Sequence, residues 1–212
     1  MENSKTTLSN RLLLLWLLHD AMRFKAAGDT KAHKLAYLAQ LEMTMQQEKG
    51  LSYDFKKLPF GPYSDDLQAD VNWLEEEQLI ESKLYGDGKI YSDSKFGLKL
   101  LSDFCGMYAR NSEFTRKIYA TNCKYASYST YQLVEIVHQQ KHPYKNMTID
   151  EAPLNDWILC SLPENVAKIE FTITPEELAT LEIYLDEETY KSVSNACYFA
   201  QRKPLLRLDE VF

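Results

Sequence analysis

The sequence predicts a mainly helical α+β protein, with a winged-helix-like helical domain, a β-hairpin wing and a small C-terminal α/β appendage. Three observations lead there. Apolar residues recur at helical spacing over most of residues 8–140. "IESKLYGDGKIYSD" (80–93) alternates on both sides of Gly86-Asp87-Gly88, as a hairpin does. The order helix, helix, helix, hairpin puts that hairpin where a wing belongs.

The first helix is expected over 8–27. Ser9 or Asn10 can cap it, Leu8, Leu12, Leu15, Leu18 and Met22 form its stripe, and Gly28-Asp29 ends it. The second spans 31–49, with Leu35, Leu38, Leu41 and Met45 in register, and Gly50 stops it. Tyr53-Asp54-Phe55 alternates like a short strand, and Gly61-Pro62 breaks the chain. Ser64 caps a third helix that carries Leu67, Val71 and Leu74 on one face and runs to Gln78. After the hairpin, helical patterns cover 95–110, 113–124 and 130–141. A Pro-punctuated stretch follows, with a short apolar run at Trp157-Ile158-Leu159. "KIEFTIT" (168–174) alternates like a strand, and Thr174-Pro175-Glu176-Glu177 is a helix start with a capping box. A last helix is expected over 186–201. The expected division is a winged-helix-like domain 1–145, a connector 146–164 and a strand–helix–helix–tail unit 165–212.

The composition, 45% hydrophobic and 26% charged, is that of a globular protein. The net charge is −7, which opposes non-specific nucleic-acid binding, and it is spread unevenly. Residues 58–93 hold two basic and nine acidic side chains, residues 94–147 eight and three, and residues 148–212 five and thirteen. The four cysteines, Cys105, Cys123, Cys160 and Cys197, are scattered and predict reduced thiols in the cytoplasm. The apolar run Leu12–Leu18 is too short to span a membrane, and no cleavage site follows it.

"HKLAYLAQ" (33–40), the extended "LSYDFKKLPFGPYSDDL", a helix ending "LEEEQLIE" and the hairpin together resemble the Panacea (SocA-type) antitoxin domain and its YwgA-type winged-helix relatives. The resemblance covers roughly 8–140. It implies an antitoxin, part of a toxin–antitoxin system, or a regulatory adaptor that binds and modulates a partner protein, and not an enzyme.

The third helix poses the main functional question. From Tyr63 to Glu81 it carries seven carboxylates and no Lys or Arg. A DNA-reading helix needs donors for base edges and basic flanks for phosphate. Here Gln68 and Asn72 are the only such donors near its middle, with Lys83 and Lys89 on the wing. A winged-helix transcriptional regulator is therefore the alternative. The primary expectation is docking of a protein with a basic surface, through Asp65, Asp66, Asp70, Trp73 and Glu76 and through the apolar tail Leu205, Leu206, Leu208 and Phe212. The C-terminal unit either folds back as a subdomain or orders on that partner. Basic residues and Tyr119, Tyr125, Tyr128 and Tyr131 interleave in 116–131, a pattern shared by single-strand binders and by core edges.

Glu135, His138 and His142 fall at i, i+3 and i+7, a spacing a metal site can use. No Cys or Asp cluster completes such a site, so neither a metal nor a cofactor is expected. GxSxG, P-loop, GxGxxG and HExxH patterns are absent from the sequence, and the expectation is a non-enzyme.

Overall fold

The leucine-rich run makes the first helix the centre of the fold. α1 (Glu2–Met22) buries Leu12 to Leu15, Leu17, Leu18 and Ala21, on nearly its whole circumference rather than along one stripe. A helix apolar all round must be surrounded by other elements. The computed structural model describes residues 2–24, 28–86, 88–186, 188–193 and 195. It is mainly helical with small sheets, and it divides into two compact units, 1–172 and 173–212.

α2 (Asp29–Met45) packs on α1 and buries Leu35, Ala36, Ala39 and Met43. It ends four residues before the expected stop at Lys49, and β1 (Glu48–Lys49) follows. The loop 50–54 is held by two side-chain amides that imitate a neighbouring strand. Asn10 accepts from Ser52 N–H at 2.9 Å and donates to Ser52 C=O at 3.2 Å. Gln40 does the same for Tyr53, at 2.8 and 2.7 Å. Asn10 therefore lies inside α1, which begins six residues before the expected Leu8, and is not its cap.

β2 (Phe55–Leu58) and β3 (Gly61–Tyr63) form a hairpin. Gly61 and Pro62 were expected to break the chain, yet both sit in β3. β3 is an edge strand of its sheet, where a proline without an N–H is tolerated. Gly61 takes φ +89, and a Cβ there would press on the His138 ring at 3.2 Å.

α3 (Asp65–Glu76) starts at Ser64, whose hydroxyl accepts from Leu67 N–H. β4 (Ile80–Tyr85) and β5 (Gly88–Asp93) pair antiparallel along six residues each, so the expected hairpin is present. The helix expected over 95–110 is two, α4 (Lys95–Asp103) and α5 (Cys105–Arg110), broken at Phe104. α4 lies so close to the preceding segment that a Cβ on Gly97 would sit 2.0 Å from the Leu79 carbonyl oxygen. α6 (Ser112–Tyr125) packs on α1 and α2, and buried Asn122 donates to Leu17 C=O and to Asp20, both at 3.0 Å. α7 (Thr130–His138) opens with a Ser129/Gln132 capping box and stops before the expected Lys141.

The stretch expected to be a connector belongs to the first unit. β6 (Trp157–Leu159) pairs antiparallel with β2 and completes the sheet β3-β2-β6. β7 (Ile169–Glu170) pairs parallel with β1, and it is shorter than the strand expected over 168–174. Asn111 acts as a further amide clamp on Thr172, at 2.8 and 2.9 Å. The expected boundaries at 145 and 164 thus give way to one between 172 and 173, because β-pairing ties the late segments to β1 and β2.

In the second unit, α8 (Pro175–Leu185) has Thr174 as N-cap, Pro175 in its first turn and Glu177 closing the capping box. Residues 188–193 are helical. Among the described residues no helix is long and apolar enough to cross a membrane.

Candidate docking face on the third helix

α3 presents three surfaces that differ in chemistry. Leu67, Val71 and Leu74 point into the core. Asp70 shares that inward face, at 5% exposure. Its carboxylate accepts from Arg11 Nε at 2.8 Å and from the Tyr53 hydroxyl at 2.9 Å. Burial pushes the Asp70 carboxyl up, against these two bonds that hold it down. Tyr53 is itself pushed well above an ordinary phenol by burial and by Asp70. Asp70 was expected among the docking residues; it is a structural group instead, because it lies one turn from Leu67 and Leu74 and next to Val71, and turns inward with them.

The second surface faces α2. Gln68 accepts from His33 Nε2 at 3.2 Å, and its amide donates to Asn72 at 3.2 Å and to Asp29 at 3.4 Å. The Tyr91 hydroxyl also donates to Asp29. His33 is buried and stacked on Tyr63 with ring centroids 4.5 Å apart. Its Nδ1 accepts from Ser64 N–H at 3.3 Å, so the neutral ring carries its proton on Nε2. Burial lowers its pKa to about 4; the Lys34 ammonium adds to the depression, while the Gln68 bond and the Asp29 and Asp65 carboxylates oppose it. On the wing, Lys89 donates to Glu75 at 2.8 Å and Ser82 donates to the same carboxylate. Lys83 is exposed. Of the four nucleic-acid candidates, Gln68 and Lys89 are thus half-buried and engaged within the protein, whereas Asn72 only accepts from Gln68 and is exposed, as is Lys83.

The third surface faces solvent. Asp65, Asp66 and Glu76 are exposed. Asp65 pairs with Lys56 at 2.6 Å, whereas the Asp66 and Glu76 carboxylates have no ion-pair partner among the described residues. Trp73 is half-buried beneath the Arg11 guanidinium, 4.1 Å from its ring centroid. Beside this face runs an open cleft of about 630 Å³, lined by α1, α3 and the 161–164 segment. Arg11, Lys49, Asp66, Asp70 and Glu164 are its charged members. Arg11 is paired with Asp70 and Lys49 with Glu164, at 2.8 and 2.9 Å, so Asp66 is the carboxylate left to a ligand. The cleft can hold a cationic side chain.

The three groups weighed as metal ligands do not converge. α7 ends at His138, which faces Asp150 at 3.3 Å. His142 lies in the following loop, buried, with Nδ1 accepting from Tyr144 N–H at 3.1 Å. Glu135 stays on α7 near Tyr131. No group of three metal-binding side chains occurs among the described residues. Leu205, Leu206, Leu208 and Phe212 lie outside the described residues. Of the residues that fix the pose of α3, Arg11 and Asp29 belonged to no motif, and His33 and Tyr53 lay within motif segments that gave them no individual role; only the placement of Asp70 on the apolar stripe hinted at a buried partner. No family model, curated protein or solved structure matches this chain.

Proposed function

We propose that the protein is an interaction regulator, antitoxin-like or adaptor-like, that binds and modulates a partner protein carrying a basic surface. The docking site is the solvent face of α3, with Asp65, Asp66, Trp73 and Glu76, together with the adjoining cleft. One observation carries the reading. Gln68 and Lys89, two of the four groups that would read DNA, are half-buried and hydrogen-bonded within the protein, while the solvent face of α3 carries the carboxylates Asp65, Asp66 and Glu76. Carboxylates repel phosphate and attract Lys and Arg.

The sequence of α1, α2, α3 and the β4–β5 hairpin supports a winged-helix relationship, and with it the resemblance to Panacea-type domains. Cys105, Cys123 and Cys160 are unpaired, which supports action in the reducing cytoplasm. The tail from Leu205 to Phe212 remains a second candidate contact by its apolar sequence.

The test compares wild type with Asp66→Lys/Glu76→Lys, each used as bait in its native host with quantitative mass spectrometry. A protein with a basic surface should be retained by wild type and lost by the variant, and its purified form should bind wild type with a salt-dependent Kd. If the same protein is retained equally by both, the α3 face is not the site. Nanomolar binding to duplex DNA at physiological salt, lost in Gln68→Ala, would establish the regulator alternative instead.

A further inference from the structure

The wing has a strand edge left unpaired among the described residues. Two residues join β4 to β5, so Tyr85 and Gly88 form the hydrogen-bonded closing pair. Alternation along the ladder then aims the backbone groups of Lys83 and Glu81 at β5, and those of Ser82 and Leu84 away from it. On β5 the same alternation turns Lys89 outward. Its carbonyl oxygen meets Gly28, where a Cβ would sit 2.5 Å away, so that edge is covered by the start of α2. On β4, the outward N–H and C=O groups of Ser82 and Leu84 make no hydrogen bond among the described residues. The side chains around them are open too: Glu81 and Lys83 are exposed, Leu84 is 83% exposed and Tyr85 76%. A two-stranded ribbon is marginal by itself, and an open edge invites another strand.

We propose that β4 is the docking edge for a second copy of this chain, pairing antiparallel about a two-fold axis at Ser82 to make one sheet of order β5-β4-β4-β5. Charge selects both the occupant and the register. With Ser82 opposite Ser82 of the second copy, their outward groups exchange two hydrogen bonds, and the pairing stops short of Ile80, which is buried in its own chain. Glu81 of each chain then faces Lys83 of the other, twice by symmetry. These are non-hydrogen-bonded positions, where Cα atoms approach to about 4.5 Å and side chains interact most strongly. Sliding to either neighbouring register sets Lys83 against Lys83 or Glu81 against Glu81. Charges on an edge strand ordinarily prevent pairing; here they disfavour the slipped registers and favour the symmetric one. The site lies on the wing and stands independently of the α3 docking face.

Sedimentation equilibrium of the full chain, from about 1 µM to about 300 µM, tests the proposal on the scale of a weak, small interface. Wild type should show a monomer–dimer equilibrium. Lys83→Glu and Glu81→Lys should each weaken it about tenfold, since each turns two attractive cross-strand pairs into repulsive ones. The double variant Glu81→Lys/Lys83→Glu should restore it to near the wild-type Kd. Both positions are exposed, and unchanged circular dichroism confirms that the variants fold. A monomer at every concentration overturns the proposal. So does a dimer that the single reversals leave unchanged, or one that the double variant fails to restore.

Discussion

His33 should make the first unit lose stability in acid over a defined window. In the folded protein the ring is neutral, with Nδ1 accepting from Ser64 N–H and Nε2 donating to Gln68. Its pKa is lowered to about 4 from an ordinary 6.5, chiefly by burial. Above pH 6.5 both folded and unfolded chains hold it neutral, and its contribution is fully present. As pH falls below 6.5 the unfolded chain takes up a proton that the folded chain refuses, so stability declines by up to 1.36 kcal/mol per pH unit. The decline levels off near pH 4, where the folded ring is protonated as well. The loss over the window is about 3 kcal/mol, a large part of a typical domain stability of roughly 5–15 kcal/mol. Urea unfolding between pH 7 and 4, followed by tryptophan fluorescence, measures it; Trp16, Trp73 and Trp157 all lie in the first unit. His33→Gln retains a donor and an acceptor but does not titrate. Its stability should fall about 3 kcal/mol less than wild type across the window, while contributions from His138, His142 and the carboxylates cancel in the difference. Parallel curves for the two proteins would refute the reasoning.

Other predictions follow from named contacts. Gly97→Ala should cost about 2 kcal/mol or more, because its Cβ meets the Leu79 carbonyl oxygen at 2.0 Å, whereas Gly106→Ala, with open space around it, should be neutral or mildly stabilising; thermal melts of the pair compare them. Arg11→Ala leaves the buried Asp70 carboxylate with only the Tyr53 hydroxyl and should cost about 3 kcal/mol in urea unfolding. Adding Asp70→Asn to that variant should recover much of the loss, and a double variant no better than the single one argues against the charge as its cause. Thr174→Ala removes the N-cap of α8 and should cost that helix about 1 kcal/mol, read as faster hydrogen exchange of the Glu177 and Leu178 amides with no change in α3.

Local chemistry settled most of the elements. Apolar spacing located the helices, Ser64 and Thr174 marked starts where hydroxyls do accept the first amides, and Gly86-Asp87-Gly88 between alternating strands located the wing. The acidic character of α3 was equally plain. Elements that depend on distant partners were not legible. Trp157-Ile158-Leu159 becomes a strand because β2 lies beside it, about a hundred residues earlier in sequence. Asn10 looks like a cap but clamps Ser52. Gly61 and Pro62 look like a break but occupy a sheet edge.

The candidate site divides along the same line. Charge is a property of residues, so the sequence by itself determined that α3 is acidic and opposes phosphate. Direction is a property of packing. Asp70 and Asp66 are four residues apart and chemically identical, yet Asp70 is buried against Arg11 and Tyr53 and Asp66 is exposed. Only the tertiary structure decided which carboxylates face outward, that Gln68 is occupied by His33 and Asp29, and which edge of the wing stays open among the described residues. Each of these depends on which side of an element its neighbours cover, and those neighbours come from remote parts of the chain.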